Sequence, residues 1–396
     1  MKQIFFLLVA TILVACNSQK RTASINNVRE VSSEFDSLFS ALFKADEPGA
    51  AVLVVKNDSV VYDKGFGLAR LDNPTPITNR TMFNICSVSK QFSSMALFIL
   101  AEQGKLSLDD SVQKYFPQFK ADFFGRITLR HLMSHTSGIP DDRPRTDEAW
   151  QHYTAHHATR FNTVHDFKRF AAEDETTRFM ETLDTLAFEP GTAYDYQNPT
   201  YQLMLMIVEQ VTGENFDDWM RKNLFLPAGM EETLYFEPNR QIPRMAHGYI
   251  KAEGENADGY FRTPDGRWEE SDYGEATFFQ TKADGGIYTT PLEFVKWDKA
   301  LYSDLLISAK MREEAHTGHI ATDISHTDYG YGWFIEHRPD RPKKIYHTGD
   351  NGGFYIFEGR FPEQDLFYLI FANRCDWNRD EVVEAVDKIL EKNGWI

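Results

Sequence analysis

Four consecutive residues, Ser87-Val88-Ser89-Lys90, carry side chains suited to nucleophilic catalysis, at a point where a loop gives way to an apolar, helix-patterned stretch. The free N–H groups and the dipole at a helix start favour a developing anion. Lys90, three residues after Ser87, falls about one turn on along the same face. A lysine desolvated there can lose its proton and act as base towards the serine hydroxyl. By itself the tetrapeptide arises by chance in chains of this length, and a solvated helix start reads the same. Tyr196-Gln197-Asn198 precedes a second apolar helical stretch, so a phenol and an amide two residues apart can project from one loop into a cleft. A capping Asn and a packed Tyr are the plainer alternative. In His347-Thr348-Gly349 the glycine permits close backbone approach, and the next N–H, on Asp350, is placed to serve as an oxyanion donor. The plainer alternative is an ordinary turn.

These residues need a frame. Phe35, Leu38, Leu42 and Phe43 recur at helical spacing and predict an amphipathic helix over about 31–45. Gly49 to Lys56 and Ser59 to Tyr62 flank Asn57-Asp58 and predict a hairpin. Residues 71–80 read as loop. Apolar positions from Phe92 to Leu100 predict a mostly buried helix, with Gly104 as its stop. A short helix is expected from Thr128 to Ser134, opening on a threonine cap, and a strongly apolar one from Thr200 to Val211. Residues 141–185 read as a helical insertion and 251–275 as a polar surface excursion. Strands are expected at Tyr329–Glu336, Phe354–Arg360 and Leu366–Asn373, the last apolar enough to be buried on both faces, with a closing helix over Asp380–Lys392. The triplet at 347–349 then lies on the approach to a strand.

Strands at both ends flank a helical middle. The expected fold is therefore α+β, an α/β sandwich with one antiparallel sheet built from both chain ends, flanking helices and an inserted mainly helical domain. The α/β part would take in about 31–105 and 290–396 and the helical part about 106–289, with the site at their seam.

Upstream, Lys2 and the apolar run Ile4–Val14, broken only by Thr11, have the form of a secretory signal over 1–15, too short to span a bilayer. Leu13-Val14-Ala15-Cys16 resembles the lipobox of bacterial lipoproteins, which implies lipid on Cys16 and attachment to a membrane of the cell envelope. Polar residues 16–30 read as a tether. The 396 residues include 42 basic and 59 acidic side chains, a formal charge of −17, which argues against nucleic acid as a partner. Three cysteines exclude a disulfide scaffold, and Cys86 and Cys375 read as small buried hydrophobes. His152 and His156 are spaced i, i+4, with His157 and His165 nearby, but no carboxylate or cysteine completes a metal set. Solvated histidines, and no metal, are the expectation. Trp297 and Trp333 read as packing.

Taken together, Ser-x-x-Lys, then Tyr-x-Asn about 110 residues on, then His-Thr-Gly about 150 further, resemble the serine β-lactamase and penicillin-binding-protein superfamily. The resemblance is to its class C β-lactamase-like branch of lactamases, D,D-peptidases, D-aminopeptidases and esterases. LRHLMSHTSGIP (129–140), EPGTAYDYQNPTYQLMLMIVEQVTG (189–213) and ADGGIYTTPLEFVKW (283–297) are similar to further segments of that branch. The resemblance implies Ser87 as acylated nucleophile, Lys90 as base or proton relay, and Tyr196 as second general acid/base. It implies that Asn198 contacts substrate or holds Lys90, and that the N–H groups of Ser87 and Asp350 form the oxyanion hole. His135 would organise its loop. His347, beside Thr348 and Gly349, replaces a lysine that in the lactamases is a fixed positive charge near the substrate carboxylate. A histidine with an ordinary pKa of about 6.5 is mostly neutral at pH 7. Asp350 would raise that value if the side chains meet.

The expected function is a secreted, lipid-anchored serine hydrolase without a cofactor. Esters, amides or D-amino-acid peptides, including peptidoglycan-derived ones, are the expected substrates. The alternatives are a β-lactamase or D,D-carboxypeptidase proper, and a catalytically idle peptidoglycan- or partner-binding protein.

Overall fold

The computed structural model describes residues 27–140, 173–235, 241–251, 267–270 and 282–396. The signal segment, Cys16, most of the tether, the four histidines between 152 and 165, and most of the 251–275 excursion lie outside them. Among the described residues no group of His, Cys, Asp or Glu is arranged to hold a metal, and no helix is long and apolar enough to cross a membrane.

An antiparallel sheet joins the two ends of the chain. Its strands are β1 (Ala50–Lys56), β2 (Ser59–Phe66), β3 (Ile320–Ala321), β4 (Thr327–Tyr329), β5 (Phe334–Glu336), β6 (Lys344–Asn351), β7 (Phe354–Phe361) and β8 (Leu366–Ala372), in the order β3-β4-β5-β6-β7-β8-β1-β2. Asn57 and Asp58 both take left-handed φ values, 50° and 58°, as a two-residue hairpin turn requires, and this turn joins β1 to β2. β8 then pairs with β1 along its whole length, from Ala50↔Ala372 to Lys56↔Leu366. Both strands are buried on both faces. Ala50, Val52 and Val54 meet Phe35 and Phe39 of the helix over 27–42 (α1) and Val382, Val386 and Leu390 of Arg379–Lys392 (α5). Ala51, Leu53 and Val55 join the opposite core, which holds Lys90–Glu102 (α2), Pro199–Thr212 (α3) and Pro291–Leu301 (α4). Phe294 of α4 lies against Phe367 and Phe371 of β8. A one-residue slip would exchange the two faces, so two different apolar cores hold the register.

Several expectations need correction. Residues 329–336 form two strands, because the chain turns at 330–333, where the Gly330 N–H donates to the Trp333 carbonyl. Gly332 has φ +96°, and a Cβ there would meet the Gln91 Cα at 3.1 Å and the Lys90 carbonyl at 3.2 Å, so this turn presses on the start of α2. His347-Thr348-Gly349 lies inside β6 rather than before a strand. The lysine and histidine that hide its strand pattern are buried and paired, Lys344 with Asp387 at 2.8 Å. Residues 27–30, read as tether, already belong to α1, which anchors on β1 and β2 through Phe35, Phe39 and Tyr62. Within 71–80, Thr75–Pro76 makes a short pair with Leu68–Arg70. The middle of the chain holds α3 and Glu173–Thr182 but also a small sheet of Phe83–Asn84, Ile287–Thr289 and Leu234–Tyr235. Cys86 is buried, as expected, and Cys375 is half-buried.

Candidate active site

The site is built on the entry to α2. Cys86 takes a left-handed φ of 50°, unusual for a residue with a Cβ, and its N–H is held by the Asn84 side-chain oxygen at 2.6 Å. One 3₁₀ turn, Cys86–Ser89, then feeds α2. This sharp entry leaves Ser87 half-exposed while its neighbours on either side are buried. Ser89 points inward, and its hydroxyl accepts the Ile287 N–H at 3.2 Å.

Lys90 has no exposure to solvent. Its Nζ lies 3.1 Å from Ser87 Oγ, 2.9 Å from Asn198 Oδ1, 3.1 Å from the Asp284 carbonyl and 3.7 Å from Asp284 Oδ2. The contact to Ser87 is within reach of direct proton transfer. The same Nζ sits over the Tyr196 ring, 4.8 Å from its centroid. Burial pushes the Tyr196 phenol well above its ordinary pKa, and its hydrogen bond with Ser87 works against that rise. One hydroxyl, one amine and one phenol therefore share a proton-transfer network, and Asn198, at the cap of α3, fixes the amine.

The Tyr196 loop is held by His135. This residue also takes a left-handed φ, 58°, and is fully buried. Its carbonyl accepts the Asp195 N–H and its Nδ1 the Gln197 N–H, both at 3.0 Å, so the two residues flanking Tyr196 are pinned to it. Its ring centroid lies 4.2 Å from that of Tyr196. Burial, with the charge of Lys90, holds the imidazole well below its ordinary pKa, so it is neutral and organises the loop.

β6 closes the other side. A Cβ on Gly349 would lie 2.5 Å from the Ile85 carbonyl and 2.9 Å from Cys86 Cβ, so only glycine lets β6 pass this close to the residue before the nucleophile. Burial and the Lys90 charge push His347 down to about 3. Its tautomer follows from its partners. Nδ1 is 2.6 Å from the Thr348 carbonyl, which can only accept, so Nδ1 carries the hydrogen. Nε2 is then an acceptor, and the Tyr329 hydroxyl, 3.0 Å away, donates to it. Asp350 does not meet His347. Its carboxylate takes a hydrogen bond of 2.7 Å from Arg379 at the start of α5, so it does not raise the histidine pKa, and the neutral ring expected at pH 7 stands.

The structure thus brings Ser87, Lys90, Tyr196 and Asn198 into contact and sets His347, Thr348, Gly349 and Asp350 along the adjoining strand. Two participants escaped the reading of the sequence. Asp284 stands in the ADGG run of 283–286, and Tyr329 begins a Tyr-Gly-Tyr-Gly run; each becomes visible only once its partner is placed. Trp297 and Trp333 are buried packing residues, as expected.

Comparison with known proteins agrees with this geometry. The model of the Beta-lactamase family matches residues 35–390. Penicillin-binding protein 4* of Bacillus subtilis is 26% identical over 359 residues, which cover 89% of this chain and 74% of that protein. Protein flp of Staphylococcus aureus is 25% identical over 336 residues, 84% of this chain but 61% of its own length. Among solved structures, the octameric penicillin-binding protein homologue from Pyrococcus abyssi superposes with a TM-score of 0.72 at 24% identity, covering 93% of this chain and 77% of its own. A class C β-lactamase does so with a TM-score of 0.70 at 22% identity, covering 91% and 96%. With the family model spanning nearly the whole described chain and the class C fold reproduced around the Ser-Lys-Tyr cluster, the protein belongs to the Beta-lactamase family of serine hydrolases.

Proposed function

We propose that the protein is a lipid-anchored serine hydrolase of the cell envelope that works through an acyl-enzyme on Ser87. Its substrates in this reading are esters, amides or D-amino-acid peptides, including peptidoglycan-derived ones, in preference to β-lactams. In enzyme whose Lys90 is unprotonated, Ser87 Oγ attacks the substrate carbonyl carbon and its proton passes to that amine. The N–H groups of Ser87 and Asp350 receive the oxyanion. Collapse breaks the bond to the alcohol or amine, which leaves with a proton delivered through Tyr196. Water then attacks the ester carbonyl, gives its proton back through Tyr196, and releases the acid and Ser87. Asn198 holds Lys90 in place.

The neutral, internally bonded His347 carries the substrate preference. Where the lactamases place a lysine charge, this chain has a ring whose two nitrogens are both engaged by protein groups. The neighbouring cation, Arg379, is paired with Asp350. A substrate carboxylate therefore meets no compensating charge on this strand, and desolvating it costs binding.

Comparing kcat/KM from pH 5 to 9 for a neutral ester and a matched carboxylate-bearing substrate tests this. With a pKa of about 3, His347 does not titrate in that range. The wild type should prefer the neutral ester throughout, and His347→Lys should narrow the preference by about tenfold. An acid-side gain confined to the carboxylate substrate, and lost in His347→Lys, would show that a protonated histidine binds substrate and would overturn the assignment.

The anchor rests on the Leu13-Val14-Ala15-Cys16 order. Mature protein should partition into detergent, and Cys16→Ser should release it or block processing. A soluble mature chain starting elsewhere than Cys16, seen by N-terminal mass spectrometry, would sink this part.

A further inference from the structure

Behind the reacting groups lies a carboxyl that the mechanism does not use. Glu358, on β7, is buried and stands directly across from His347 in the β6–β7 register, so both side chains leave the same face of the sheet. Its Oε1 accepts from Gln91 Nε2, and the carboxyl also takes a hydrogen bond from the His347 backbone. Gln91 follows Lys90 in α2 and is itself fully buried. Its remaining oxygen accepts from Trp297 Nε1 of α4 at 3.0 Å, and Trp297 stacks on Phe92 with centroids 4.1 Å apart. An apolar side chain would fill this place at lower cost than a buried carboxyl, so the carboxyl contributes something other than bulk.

We propose that Glu358 is a positioning residue, which sets the gap between the helix bearing Ser87 and Lys90 and the strand bearing His347 and the oxyanion-forming backbone. It acts through Gln91 on one side and His347 on the other, and touches no substrate. This role rests on the hydrolase reading above.

The charge state follows from the surroundings. Burial pushes the carboxyl up to about 8, with the charge of Asp298 adding to the rise and the bonds from Gln91 and His347 opposing it. The titratable groups around it are Asp298 and Tyr302 near α4, Arg360 on its own strand, His347 on β6, and Lys90 beside Gln91 on α2. Asp298 is itself raised to about 7 and bound by Arg360 at 2.5 Å, so the arginine is engaged there. His347 is neutral, and Lys90 is turned towards Ser87, Asn198 and Asp284. An acid with a raised pKa keeps its uncharged form below that value and loses it above. Glu358 thus bridges the two elements uncharged at neutral pH, and above about pH 8 a carboxylate appears between them.

The test is kcat and KM against pH for wild type, Glu358→Gln and Glu358→Leu, with a fluorophosphonate label on Ser87 measured in parallel. Glu358→Gln keeps the shape and, through its amide oxygen, the bond from Gln91, but cannot ionise. It should hold kcat at pH 7 within about threefold and show none of the fall in kcat expected of wild type above pH 8. Glu358→Leu should lower kcat about tenfold or more with KM within about twofold. If the Leu variant does not fold, the alkaline limb of the Gln variant still decides. An alkaline limb identical in Glu358→Gln and wild type would overturn the proposal, and so would an undiminished kcat in a folded Glu358→Leu. Wild type that takes no label at Ser87 would instead overturn the hydrolase reading.

Discussion

Ser87→Ala should abolish covalent labelling by a fluorophosphonate and lower kcat/KM for an ester by about 10³-fold or more, while the fold persists. The size of the loss follows from the chemistry. Without Oγ no acyl-enzyme forms, and only binding and the oxyanion donors remain to assist water. The fold persists because Ser87 is half-exposed and its hydroxyl bonds are to groups of the site rather than to the core. Ser89→Ala is the matched control. Its hydroxyl accepts the buried Ile287 N–H, so its loss should cost about 1–3 kcal/mol of stability and leave labelling in place. Intact-protein mass spectrometry with peptide mapping reads both variants. Labelling that survives Ser87→Ala and disappears in Ser89→Ala would reverse the assignment.

Removing Lys90 should hurt in two separable ways. Lys90→Met deletes the amine 3.1 Å from Ser87 Oγ, and acylation should slow by about 10³-fold, because the serine loses the group that takes its proton. The same change strands the Asp284 carboxylate, 4% exposed, together with the side-chain oxygen of Asn198. Breaking a buried pair from one side costs about 3–5 kcal/mol, so the melting temperature should fall by several degrees. Adding Asp284→Asn removes the uncompensated charge. The double variant should recover most of the stability and none of the rate, measured by thermal unfolding and by single-turnover acylation. A rate that returns together with the stability would mean that Lys90 serves the fold and not the proton transfer.

The limits of the sequence show in particular residues. The Asn57-Asp58 turn, the α1, α2 and α3 periodicities and the unbroken apolar runs of β1 and β8 are local patterns, and the structure has them within a few residues of the expected bounds. β6 was missed because its lysine and histidine break the apolar run, and they are tolerated inside a sheet only because Asp387 and Tyr329 reach them from elsewhere in the chain. The single strand expected over 329–336 was split by a turn whose glycine is demanded by the backbone of α2, more than 200 residues earlier.

What the sequence determined by itself is therefore whatever neighbours along the chain decide. This includes the helix starts, the hairpin, the doubly buried strands and the order of Ser-x-x-Lys, Tyr-x-Asn and His-Thr-Gly that marks the family. Tertiary structure alone decided the electrostatics. The neutrality of His347, the diversion of Asp350 to Arg379, the seating of Lys90 on Asp284 and Asn198, and the uncharged Glu358 behind them all depend on burial and on partners distant in sequence. Charge is felt through space and is scaled by exclusion of water. No spacing along the chain encodes either quantity until the sheet closes between its two ends.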